Sequence, residues 1–283
     1  MWPFGRTPIV PVLRLSGVIA ASGTPLAGNT LSLSSLAGPI EKAFTASKLP
    51  SVAIVVNSPG GSSVQSNLIF RRIRALAAEH KKRVYVFCED VAASGGYFIA
   101  LAGDEIIADP SSIIGSIGVI SSGFGFDRAI DKLGVDRRVY TAGLSKGSLD
   151  PFLPENPEDI ERLKELQRDV HDVFIGAVKE RRGALLKALD AELFSGAFWS
   201  GPRALDRGLI DGIGDIRTKM RELHGAKIKL KVIPLGPKGL LSRLRGQSGF
   251  AALANPGAVP ALIDPERAIS AIEARLLWSR YGL

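Results

Sequence analysis

A serine set between a strand and a helix is a candidate nucleophile, and Ser94 has that setting. It lies in Val91-Ala92-Ala93-Ser94-Gly95-Gly96-Tyr97, after the apolar run 84–88 and before the helix-like run 97–102. Such a turn presents a hydroxyl at the positive end of a helix, with backbone N–H groups close by. The two glycines let a second backbone approach. The same serine would also serve as a plain helix N-cap. Two other segments share this glycine and serine richness. Val55-Val56-Asn57-Ser58-Pro59-Gly60-Gly61-Ser62 follows the β-branched run 52–56 and opens a helical pattern with Leu68, Ile69, Ile73, Leu76 and Ala77 on one face. Its paired glycines offer N–H groups suited to an oxyanion hole. Pro-Gly is also an ordinary turn, and no Gly-Lys-Ser/Thr follows to make a nucleotide loop. The third segment holds Gly115-Ser116-Ile117-Gly118-Val119.

Together these segments resemble the S49 family of serine peptidases, the signal peptide peptidase A type, within the ClpP/crotonase fold group. The resemblance runs from about Val10 to Gly214. It rests on Asn57-Ser58-Pro59-Gly60-Gly61, Ala93-Ser94-Gly95-Gly96-Tyr97, Gly115 to Val119, Lys146 with Asp150-Pro151-Phe152, and Phe194-Ser195-Gly196 through Gly208-Leu209-Ile210-Asp211. It implies an α/β fold of repeated β-β-α units and a Ser-Lys mechanism. In that mechanism Ser94 is the nucleophile, Lys146 the base and Ser116 the residue that orients the lysine. The backbone N–H groups of Gly61 and Gly95 form the oxyanion hole. Many members carry an aromatic residue before the lysine, where this chain has Ser145. Peptide substrates would bind along Gly60 and the strand Ile117-Gly118-Val119-Ile120 by strand addition, although that strand also reads as plain core. The resemblance further implies self-assembly into a ring or dome, with no cofactor and no metal.

The residue inventory agrees with a lysine base. His80 sits at a charged helix end, His171 inside a long charged helix, and His224 before a glycine in a basic stretch. None lies in a glycine-rich turn, so each reads as a surface or structural residue, and a Ser-His-Asp triad has no good histidine. A lysine acts as a base only when neutral. Bringing its pKa from about 10.4 to near 7 requires a bias of about 4.6 kcal/mol against the charged form. Burial supplies such a bias. Lys146 is therefore expected to be withdrawn from water and unpaired with Asp150, whose charge would hold the ammonium protonated.

The positioning elements follow from periodicity. The chain has 283 residues and is 46% hydrophobic, enough for one large domain or one domain with an appendage. Strands are expected at 9–15, 51–56, 83–88, 105–108 and 139–141, with Pro11 marking the first as an edge strand or two pieces. A helix is expected from Pro157 to about Arg182, capped by Asn156, acidic in its first turn, basic in its last and stopped by Gly183. Ile160, Leu163, Leu166, Val170, Val173 and Phe174 form its apolar stripe, which suits either the core or a neighbouring subunit. Cys88 reads as a small buried hydrophobe.

The net charge is +8, and nine basic residues between 217 and 245 against the single acid Glu222 account for it. Residues 1–225 read as the catalytic domain. Residues 226–283 read as a basic strand, a Gly/Ala/Pro-rich linker at 246–260 and a terminal helix at 265–281, with Ile269, Ile272, Leu276 and Leu277 on one side. The basic stretch is a solvated face by default, and peripheral contact with anionic membrane is the sharper alternative. Nucleic acid is not expected, since no aromatic interleaving accompanies the charge. No signal peptide or run of 18 apolar residues is evident, so a cytoplasmic location is expected, at most peripheral to the inner membrane face. Two other functions fit the chain. One is a crotonase-type acyl-CoA enzyme, which needs carboxylates at the active-site turns, whereas Glu89 and Asp90 precede the Ser94 turn. The other is a non-catalytic scaffold associated with membrane proteins.

Overall fold

The β-branched runs form one sheet with helices between its strands. The computed structural model describes residues 7–21, 30–143, 145–235, 272 and 274–283. Its elements in chain order are β1 (Ile9–Ser16), α1 (Leu33–Thr45), β2 (Ser51–Ser58), α2 (Ser63–Glu79), β3 (Arg83–Ala93), α3 (Gly95–Ala100), β4 (Glu105–Ala108) and β5 (Ile113–Gly115). Then come α4 (Asp127–Lys132), α5 (Pro157–Arg182), α6 (Asp190–Leu193), β6 (Phe198–Ser200), α7 (Gly201–Asp206), β7 (Gly212–Ile213), α8 (Ile216–His224) and β8 (Lys229–Ile233). The sheet runs β6-β5-β3-β2-β1-β8, with β4 also beside β3 and β7 beyond β4. All pairs are parallel except β5 with β6. Parallel strands covered on both faces read as unbroken apolar runs, which is why residues 52–56 are all buried.

Two features of the sheet aim its chain at the site. β3 pairs with β4 through Cys88, skips Glu89 and Asp90, then pairs with β5 from Val91 to Ala93. The break shows in its pairing with β2, where Val56 faces Cys88 but Ser58 faces Ala92. Such a bulge redirects a strand. Asn57 holds this one: its Nδ2 donates to Asp90 Oδ2 at 2.5 Å and its Oδ1 accepts from Val91 N at 3.2 Å. The second feature is β1, which runs unbroken between β2 and β8 rather than at an edge. Lys229 N donates to Pro8 O, so alternate nitrogens from Val10 onward face β8 and position 11 faces β2. Pairing with β2 begins only at Val12, so the N–H that Pro11 lacks has no ladder bond to lose.

The helices follow their caps. Asn156 accepts from Glu158 N at 2.9 Å and Pro157 opens α5. Only the C-terminal half of α5 reaches the core, through Phe174, Ala177 and Val178, while Leu166 and Val173 stay exposed. In α2 the buried face holds Ser66, Ile69, Phe70, Ile73, Leu76 and Ala77, with Leu68 turned outward. The expected strand at 139–141 does not form: that stretch is exposed and irregular. β8 joins the main sheet as its edge strand. The expected linker and residues 265–271 and 273 of the expected terminal helix lie outside the described residues. In the described part of that helix, Ile272 and Leu276 are exposed, and the residues that pack are Trp278 and Tyr281.

Buried polar groups tie the helices to the strand ends. Arg182, only 4% exposed, donates to both carboxylate oxygens of Asp211 and to Gly208 O. Asp211 also accepts from Ile106 N at 2.7 Å. The Tyr97 hydroxyl donates to Leu209 O at 2.7 Å, and burial pushes its phenol up, keeping it a donor. The motif Gly208-Leu209-Ile210-Asp211 therefore anchors α3 and α5. Gly208 itself, at φ +75°, leaves no room for a Cβ, which would lie 1.7 Å from Leu185 O. Asp104 plays a similar part between Arg74, Arg181 and Val84 N.

Two stability measurements follow. Asp211→Ala strands a buried guanidinium and is expected to lower unfolding free energy by about 3 kcal/mol in denaturant titration. Glu89→Ala breaks the half-exposed Arg14–Glu89 pair and is expected to cost less than about 1 kcal/mol. The second concerns His224, whose Nε2 lies 2.6 Å from Ser51 Oγ. Burial lowers its pKa, so the unfolded chain takes the proton first as pH falls. Its contribution to stability is full above about pH 6.5 and is lost below it. His224→Gln is expected to lose less Tm than the natural chain between about pH 7.5 and 5.5, and equal losses would contradict this.

Candidate active site

Ala93 at the end of β3 pairs with Gly115 at the end of β5, so Ser94 and Ser116 each stand one residue past paired positions of adjacent parallel strands. Ser94 N donates to Gly115 O at 2.8 Å and Ser116 N to Ala197 O at 2.7 Å. Both serines have left-handed φ, 50° and 52°. A non-glycine residue there is strained by roughly 1–3 kcal/mol and persists only where its surroundings fix it.

Glycines supply that fixing. A Cβ on Gly60 would lie 2.8 Å from Ser94 Cβ and 2.9 Å from Gly95 N. A Cβ on Gly96 would meet Ser58 O at 2.4 Å, and one on Gly61 would meet Ile19 O at 2.0 Å. The chain segments around Ile19, Gly60 and Ser94 thus touch backbone to backbone. Ile19 N donates to Gly60 O and Ser62 N to Ile19 O, so Gly61 between them turns its own N–H away from Ile19. Gly95 is the first residue of α3, where no intrahelical acceptor exists. Among the described residues neither N–H has a protein acceptor. Ser94 occupies the N-cap position of α3, at ψ −123°, yet its hydroxyl makes no capping bond. The N-cap alternative therefore does not account for this side chain, and Ser94 is half-buried at the turn.

The remaining site residues divide. Gly60 lies against the Ser94 turn and Gly95, Gly61 lies against Ile19 next to them, and Ser116 and Ile117 follow the Gly115 that pairs with Ala93; Ser116 is buried, at 6% exposure. The expected strand 117–120 does not form: β5 ends at Gly115, and Gly118 and Val119 continue from Ile117, half-buried, with no backbone hydrogen bond to the described residues. Lys146 is exposed, contrary to the expectation of withdrawal from water. It stands on an arm, residues 118–156, in which no described residue is buried. The arm is tied to itself and to α5 by Phe126 N to Pro151 O and by Ser148 Oγ to Asp159. Asp150 is bound by Arg137, whose guanidinium, with Phe152 N–H, holds its carboxyl below the usual range. No hydrogen bond links Lys146 to Ser94 among the described residues.

Sequence reasoning missed two neighbours of the site. His171 is half-buried, with Nε2 3.1 Å from Ile117 O. Tyr281 is buried with Trp278 against Val91, Ala93 and Ile113, and meets Phe198 edge-on at 5.3 Å. Both contacts span long sequence distances and have no local signal. A cavity of about 640 Å³ lies elsewhere, lined by Arg14, Glu89, Asp90 and Asp109 and not by Ser94. Burial pushes the Cys88 thiol beside it up to about 12, leaving it inert. Among the described residues no cluster of three or more His, Cys, Asp or Glu side chains is arranged to hold a metal.

The model of peptidase family S49 matches residues 77–229. The chain is 55% identical over 275 residues to a protein of Brucella abortus named "Na(+)/H(+) antiporter NhaA", covering 97% of this chain and 37% of that protein. It is 30% identical over 253 residues to "Serine protease SPPA, chloroplastic" of Arabidopsis thaliana, covering 86% of this chain and 36% of that one. It is 35% identical over 184 residues to "Protease 4" of Haemophilus influenzae, covering 65% of this chain and 29% of that one. The chain thus spans only about 29–37% of the length of these relatives. Among its described residues no helix is long and apolar enough to cross a membrane.

The strain at position 94 is measurable. Ser94→Gly is expected to raise unfolding free energy by about 1 kcal/mol, because glycine takes positive φ freely. Ser94→Ala keeps the strain and should leave stability nearly unchanged. Equal stabilities of the glycine and alanine variants would contradict a strained turn.

Proposed function

Because the chain belongs to peptidase family S49, we propose that it is a serine endopeptidase using Ser94 and Lys146 on extended or unfolded peptides, such as cleaved signal peptides. The observation that carries this reading is Ser94 itself: a strained residue at a helix start whose hydroxyl serves no cap. The neutral amine of Lys146 takes the Ser94 proton as Oγ attacks the peptide carbonyl. The N–H groups of Gly61 and Gly95 hold the resulting oxyanion. The Lys146 ammonium returns its proton to the leaving amine, giving an acyl-enzyme. Lys146 then deprotonates the incoming water, and collapse of the second tetrahedral species frees Ser94. Ser116 orients the amine.

This chemistry needs a neutral lysine, and Lys146 of an isolated chain faces water. Assembly of identical subunits resolves the conflict. The arm carrying Lys146 exposes Ile120, Phe124, Leu133, Tyr140 and Leu153, and α5, which follows it, exposes Leu166 and Val173. Apolar surface of this extent on one projecting element marks an interface. In a ring or dome the arm packs against a neighbouring copy and desolvates the amine. Each subunit supplies both a serine and a lysine. The antiporter activity named for the Brucella protein is not carried to this chain.

Hydrolysis of a peptide library tests the proposal. The natural chain should cleave, and Ser94→Ala and Lys146→Ala should each reduce kcat by at least about a thousandfold, as loss of a nucleophile or its base does. Cleavage that survives Ser94→Ala would refute the assignment. Absence of cleavage and of reaction with serine-directed reagents would favour a non-catalytic scaffold.

A further inference from the structure

The segment after Ser116 is held from behind by a residue that the Ser-Lys chemistry does not use. α5 passes this segment, and His171 on that helix places Nε2 3.1 Å from the carbonyl oxygen of Ile117. A carbonyl only accepts, so the ring donates and Nε2 carries a proton. The preceding peptide is pinned as well, through Ser116 N–H to Ala197 O at 2.7 Å. The Ile117 side chain is fully buried. Three constraints therefore act on two successive residues.

The consequence falls on Gly118. The peptide joining Ile117 to Gly118 is planar and trans, so its N–H points directly away from its C=O. Fixing the Ile117 oxygen toward α5 fixes the Gly118 N–H toward the opposite side. That N–H has no acceptor among the described residues, and position 118 is half-buried. A side chain at 118 would meet Gly196 Cα at 3.1 Å, so the backbone here is close-fitted on its other flank too. Past it, Val119 is half-buried and Ile120 exposed. The result is an extension past the end of β5, without strand pairing of its own, in which one donor is held at a set angle two residues after Ser116.

We propose that His171 is a positioning residue for peptide recognition: by holding the Ile117 carbonyl it presents the Gly118 N–H to a backbone carbonyl of an extended substrate. The role rests on the peptidase reading above. It requires a donor at the reach of Nε2 and requires no proton transfer to or from Ser94.

Steady-state kinetics on a cleaved peptide, with His171→Ala and His171→Gln, tests this. His171→Ala should raise KM about fivefold, the worth of one ordinary hydrogen bond, with kcat within about twofold. His171→Gln retains an N–H donor at similar reach and should recover most of the loss. Thermal unfolding midpoints should match across the three proteins. On the inactive Ser94→Ala background, His171→Ala should weaken binding of the same peptide, read by fluorescence anisotropy, by a similar factor. Unchanged KM and binding in His171→Ala would overturn the proposal. So would failure of His171→Gln to restore them, or a fall of kcat to the Ser94→Ala level, which would make His171 part of the proton transfer. A natural chain no more active than Ser94→Ala would instead refute the peptidase reading, and the role of His171 would fall with it.

Discussion

Two adjacent parallel strands each lead directly into a serine held at left-handed φ, and the contacts around them serve to hold those two turns. Backbone strain of this kind relaxes unless the environment prevents it. Here prevention comes from backbone on backbone: Gly60 and Gly96 let the Asn57–Gly61 loop lie on the Ser94 turn, and Gly61 lets Ile19 press from below. The β3 bulge directs Ser94 toward β5, and Asn57 clamps the bulge. Tyr97, at the other end of the turn, is tied to Leu209, and through Asp211 and Arg182 to α5. The glycines thus set how closely the segments approach, and the buried polar groups keep them in register.

A second constraint is electrostatic. The hydroxyl at 94 and the N–H groups of Gly61 and Gly95 are arranged within one chain, but the amine at 146 is exposed. A solvated ammonium at neutral pH is charged and cannot accept a proton. Asp150 does not add to the difficulty, because Arg137 holds it. The mechanism proposed above needs a low-dielectric cover over the arm, and the exposed apolar side chains of the arm are the surface that the proposed assembly would use to supply it. Under that proposal catalytic competence and self-association would be the same event.

What was legible in the sequence was local. Three glycine- and serine-rich segments located the turns at Gly60, Ser94 and Ser116, and Asn156-Pro157 with the charge gradient located α5 almost to the residue. What was not legible was set by distant partners. Pro11 suggested an edge strand, but its missing N–H falls before the ladder with β2 begins, so β1 stays central. Val139 to Thr141 has strand-forming residues and no strand to pair with. The apolar stripe of α5 was expected from Ile160 to Phe174, yet only Phe174 of it is buried in the core, joined there by Ala177 and Val178. Lys146 carried the resemblance without carrying its environment. His171 looked like one polar residue among many on a charged helix, because its partner is a backbone oxygen 54 positions away.

The rate of Ser94 modification by a fluorophosphonate, followed against pH on the assembled protein, tests the central claim most directly. A desolvated lysine base predicts a rate that rises through an apparent pKa near about 7 and levels off. A rate still climbing toward about pH 10, the range of a solvated lysine, would contradict it.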